Sequence, residues 1–118
     1  MAYNNSQISV SIEAGQDLSA KQFFFVTVAA DGQVDPTGDG VMATGVLLND
    51  PDAAGKAAEV CIFGLTRVEA GGTVAAGAAV ASDAAGNAVT AATGDVILGT
   101  AITGGADGEV ITILFNPR

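Results

Sequence analysis

Apolar and polar residues alternate strictly in Ile8-Ser9-Val10-Ser11-Ile12, the period of a strand with one face buried. Gln22 to Val28 breaks that alternation with Phe23, Phe24 and Phe25 in a row. An aromatic and β-branched run of this kind predicts a strand covered on both faces. Val34 opens a short strand that Pro36 ends, Val41 to Leu48 is strand-like around Gly45, and Val60 to Val68 reads as one bent strand or two short ones. Val110 to Phe115 is the last apolar run, closed by Pro117, which cannot donate to a ladder. Between these runs stand Asp31-Gly32, Asn49-Asp50-Pro51-Asp52, Asp83-Ala84-Ala85-Gly86-Asn87 and Gly104-Gly105-Ala106-Asp107-Gly108. Each has the chemistry of a tight turn, glycine supplying φ > 0 and Asp or Asn bonding the local backbone. Ala53 to Ala58 has helical composition but spans only six residues, too few for an isolated helix to persist. The pattern predicts an all-β fold of short strands with Gly and Asp turns.

The chain is also self-similar. Asp31-Gly32-Gln33-Val34 matches Ala85-Gly86-Asn87-Ala88-Val89, Gly38-Asp39-Gly40-Val41 matches Gly94-Asp95-Val96, and Gly45-Val46-Leu47 matches Gly99-Thr100-Ala101-Ile102. Glu59-Val60-Cys61-Ile62 aligns with Glu109 to Ile113. Two similar units are too few for a solenoid; they predict a small barrel or sandwich in which two β-units close on one another. Residues 1–16 then form an N-terminal arm and first strand. Residues 17–118 form one domain with halves at about 17–69 and 70–118. The matched Gly45 and Gly99 are expected at bends that tolerate no side chain. Gly71, Gly72 and Gly77, in the middle of the chain, are further structural glycines.

A length of 118 residues suits one domain, with a radius of gyration of roughly 13 Å. Hydrophobic residues make up 49% of the chain, but much of that is alanine, and only Tyr3 and five phenylalanines are aromatic. Self-association is one way to complete so thin a core. The net charge is −9, with four cations against thirteen carboxylates. That balance opposes direct binding to nucleic acid or to an anionic membrane, and no apolar run nears the ~20 residues that span a bilayer. The start of the chain is polar and uncharged, unlike a signal peptide, so the expected place of synthesis is a cytoplasm. Histidine is absent, which removes Ser-His-Asp and Cys-His catalysis. Cys61 stands alone, so it forms no internal disulfide, and it is expected as a small buried hydrophobe. Asp35-Pro36-Thr37-Gly38-Asp39-Gly40 lacks the alternating ligands and distal Glu of a calcium loop. Gly71-Gly72 lacks the lysine and hydroxyl of a phosphate loop. No catalytic residue, metal or cofactor is therefore expected.

From Asp17 onward the sequence resembles the bacteriophage capsid cement, or head decoration, proteins. The resemblance lies in D-L-S-A-K-Q-F at 17–23, G-V-L-L-N at 45–49, V-E-A-G-G-T-V-A-A-G-A-A-V at 68–80, S-D-A-A-G at 82–86, G-D-V-I-L-G-T-A at 94–101 and G-E-V-I-T-I-L-F at 108–115. It implies a small all-β protein without catalytic residues, made in the host bacterial cytoplasm. Such a protein binds the outer surface of an assembled phage shell through its major capsid protein, commonly as a homotrimer, and stabilises the shell.

Two sets of residues are expected to serve such a role. The polar tip Tyr3, Asn4, Asn5 and Gln7, followed by alternating Ile8, Val10 and Ile12, is a candidate capsid-docking arm. It would add a strand to an exposed sheet edge, although the same strand could complete the protein's own sheet. Phe23, Phe24 and Phe25 are expected in the core or at a subunit interface. A host-surface or glycan-binding β-module is the alternative reading, disfavoured by the scarcity of aromatic residues for stacking on sugar.

Overall fold

The computed structural model describes residues 7–117, and within them every regular element is a β-strand. The strands are β1 (Gln7–Glu13), β2 (Phe25–Val28), β3 (Val34–Pro36), β4 (Gly45–Leu47), β5 (Ala57–Glu69), β6 (Ala79–Ser82), β7 (Ala88–Thr90), β8 (Gly99–Ala101) and β9 (Val110–Phe115). They form one curled antiparallel sheet in the order β3-β2-β4-β5-β9-β8-β6-β7, with β1 on the other edge of β5. The radius of gyration is 12.9 Å.

β5 is the longest strand, and it belongs to both halves. Its first part, through Gly64, pairs with β1, and its second part, Gly64 to Glu69, pairs with β9. At Gly64 the backbone turns through φ 116°, which β-branched neighbours could not follow.

The registers of the two halves repeat. Val26 pairs with Gly45 as Val80 pairs with Gly99, and Val28 pairs with Val34 as Ser82 pairs with Ala88, each 54 residues later. Val46 faces Cys61 as Thr100 faces Leu114, 53 residues on in the second partner. The last sequence match therefore needs correction: Glu59 corresponds to Thr112, not Glu109, because loop lengths differ and strand pairing rather than residue identity sets the register. β1 has a counterpart as well. Val10 faces Val60 and Ile12 faces Ala58, just as Thr66 faces Ile113 and Val68 faces Ile111. The second half of β5 thus opens the second repeat as β1 opens the first.

Each repeat encloses its own core. Ala14, Leu18, Val26, Val34, Leu47, Ala58 and Val60 form one cluster. Their counterparts Ala70, Val74, Val80, Ala88, Ala101, Ile111 and Ile113 belong to a larger one. The larger cluster is extended by Phe25, Ala43, Val46 and Cys61, which lie on the outer face of the first repeat. Phe25 and Phe115 join the two repeats with ring centroids 6.1 Å apart, and each is fully buried, a contribution of about 1.5–3 kcal/mol apiece.

Several expected elements shift. The strand expected from Gln22 starts at Phe25, because Phe23 occupies a turn closed by the Phe24 amide on the Lys21 carbonyl at 3.0 Å. Phe23 has φ 69°, the one non-glycine residue with positive φ among those described. Its counterpart Gly77, at φ 87°, sits in the equivalent turn, where the Ala78 amide meets the Ala75 carbonyl. The strand expected over 41–48 shrinks to Gly45–Leu47. Ala53 to Lys56 is a turn, and Ala57 already belongs to β5.

Gly45 and Gly99 lie where a strand crowds its neighbour. A Cβ on Gly45 would overlap the Cys61 carbonyl oxygen, and one on Gly99 the Leu114 carbonyl oxygen. Gly45→Ala and Gly99→Ala should each lower unfolding free energy by about 1–3 kcal/mol, as overpacked sites do. In chemical denaturation this appears as a lower midpoint at unchanged slope. Gly72 and Gly77 make a contrasting pair. Gly77 has open space but positive φ, whereas Gly72 has neither positive φ nor any atom nearer its Cβ position than Val89 Cγ1 at 3.8 Å. Gly77→Ala should cost about 1 kcal/mol. Gly72→Ala should be neutral or stabilise by up to about 1 kcal/mol, through the unfolded chain.

Candidate functional site

Several of the acidic residues serve the turns. Asp83 Oδ1 accepts from the Ala85 and Asn87 amides, each at 2.9 Å. Asp31 does the same for Gln33, Asp17 for Ser19 and Asp95 for Ala92. The Ser19 hydroxyl and amide hold the Asp17 carboxyl below its usual range, and Lys56, 2.7 Å away, does so for Asp52. Among the described residues no three His, Cys, Asp or Glu side chains gather as a metal site.

Cys61 is buried on β5. Burial pushes its thiol up, and the thiol donates to the Phe63 carbonyl at 3.5 Å, so the thiolate needed for nucleophilic chemistry is disfavoured. The neighbouring Thr66 hydroxyl is buried beside it.

What the chain exposes instead is a set of apolar side chains on β1, β5 and β9. Ile8 pairs with Phe63 across a β-bulge, and the two are 57% and 47% exposed. Val10 is 38% and Leu114 37% exposed. Ser9 and Ser11 point the other way, Ser9 donating to Glu59 at 2.8 Å. The outer edge of β1 carries no partner strand among the described residues, and an open edge with apolar side chains is a natural surface for recruiting another chain.

The expected site residues fall into three groups. Tyr3, Asn4 and Asn5 lie outside the described residues. Gln7, Ile8, Val10 and Ile12 form β1, with Ile12 packed partly on the first core. Phe24 and Phe25 are buried and Phe23 half-buried; Lys21 Nζ sits 5.0 Å from the Phe24 ring centroid. Gly71 is confined by the Asp83 carboxylate and Asn87. Sequence reasoning missed Phe63 and Leu114. No local pattern marks them: Leu114 takes the place of buried Cys61 in the repeat, and only its exposure sets it apart.

The chain matches the model of the phage cement protein family over residues 3–116. No match was found among curated proteins. In fold it is similar to the head fiber gp8.5 N base of bacteriophage phi29, with a TM-score of 0.72 at 18% sequence identity, covering 94% of this chain and 95% of that one. The end-to-end family match, on an all-β chain several of whose carboxylates serve turns and whose thiol is buried, places this protein in the phage cement protein family.

Proposed function

We propose that this protein is a structural component of a phage virion that binds the outer surface of the assembled capsid and stabilises it, acting as a homotrimer on the major capsid protein. The family match over nearly the whole chain carries this reading. The surface chemistry agrees with it: exposed Ile8 and Val10 at an open sheet edge offer contacts to protein, while the net charge of −9 opposes direct contact with packaged nucleic acid. Stabilisation follows from mass action. A protein that binds the assembled lattice and not its free subunits lowers the free energy of the lattice, by about 2.7 kcal/mol per site at a hundredfold excess over Kd. Simultaneous contact with neighbouring capsomers adds avidity. The polar residues Tyr3, Asn4, Asn5 and Gln7 are the proposed capsid-docking tip, and Gln7 opens β1 at the edge of the sheet.

Co-sedimentation tests the reading. The protein should pellet with assembled capsids, stay in solution with unassembled coat protein, and raise the temperature at which capsids release DNA. Binding to a glycan array without binding to capsids would replace this function with host-surface recognition. Deleting residues 2–6, ahead of β1, should leave melting unchanged and weaken capsid binding about tenfold, or 1.4 kcal/mol. Unchanged capsid binding would move the docking contacts to the loops.

A further inference from the structure

The interface between the two repeats is one-sided. The outer face of the first repeat, around Phe25, Val46 and Cys61, covers the core of the second beside Val68 and Phe115. At the equivalent outer face of the second repeat, Ala79 is half-buried and Leu114 is exposed. Conversely, the second core is closed where the first is open. Thr66 and Val68 are buried, whereas their counterparts Val10 and Ile12 are exposed and half-buried. Phe115 is fully buried and its counterpart Ile62 is not. The chain therefore carries both halves of an interface that it already makes once internally, one unused half at each end.

The edges repeat the asymmetry. The Glu69 amide on β5 donates to the Phe23 carbonyl at 2.9 Å, so the turn of the first repeat caps the edge of the strand that opens the second. Glu13 on β1 and Gly77 are the matching positions in the repeat.

We infer that a second copy of this chain caps the open core of the first repeat, seating Leu114 and Ala79 on Val10 and Ile62 as Cys61 and Phe25 seat on Thr66 and Phe115 within the chain. The inference rests on the reading that the protein self-associates, and it names the faces involved. The contact is heterologous, since one copy offers β1 and the other β8 and β9. Such contacts form rings when the rotation closes.

The test uses full-length Val10→Cys and Leu114→Cys proteins, both exposed positions, with the wild type as control for buried Cys61. A short bismaleimide should join chains in a mixture of the two variants and not in either alone. Val10→Asp and Leu114→Asp should each reduce the mass by light scattering to that of one 11.5 kDa chain, with circular dichroism unchanged. An oligomer in which the mixture fails to cross-link, or in which Val10→Cys cross-links to itself, overturns the head-to-tail assignment while self-association stands. A wild type that stays monomeric at every concentration, including on capsids, overturns both.

Discussion

A single strand serving two repeats constrains everything else in this molecule. β5 must pair with β1 along one edge, then, past Gly64, with β9 along the other. The backbone at Gly64 lies in a region that only glycine enters without steric cost. β4 and β8 then approach β5 and β9 so closely that Gly45 and Gly99 have no room for a Cβ. The two strained or crowded sites and the bend are thus one requirement: a second repeat must begin in the same strand that ends the first.

This arrangement also explains how an alanine-rich chain makes an adequate core. Neither repeat has enough large side chains to fill its interior. The second borrows Phe25, Val46 and Cys61 from the outer face of the first, so residues that would be solvent-facing in an isolated unit become core. Small residues permit the close approach that interior packing density demands. Phe23 bears a cost of the same arrangement. It holds the positive φ that Gly77 adopts freely, in the turn that caps the edge of β5.

The fold class was legible because turn chemistry is local: Asp31-Gly32 and Asp83 to Asn87 act through their own backbones, and alternation in Ile8 to Ile12 is a property of five consecutive residues. The repeat was legible wherever glycines marked it, as at Gly45 and Gly99. It was misread near β9, where Glu109 looks like Glu59 but register is decided by hydrogen bonding to β5 and β8. The turn at Phe23 was hidden because a run of three phenylalanines satisfies strand propensity, and only tertiary bonds from Glu69 and Leu47 fix its backbone otherwise. Of the candidate surface, β1 could be read from its pattern. Phe63 and Leu114 could not, since exposure of an apolar side chain depends on what lies across the sheet.

Gln7 and Phe115 both pair with Gly64, from opposite edges of β5. Two strand spacings separate them, about 10 Å. A short glycine linker could therefore join Phe115 to Gln7, and the chain could be opened instead at an exposed turn such as Asp31-Gly32, giving a circular permutant with every strand pair intact. In that permutant the second repeat would be synthesised ahead of β1, so the order in which the two cores form would become an experimental variable. Peptides attached at Gln7 and at Phe115 would emerge side by side, which makes this scaffold suited to displaying paired peptides.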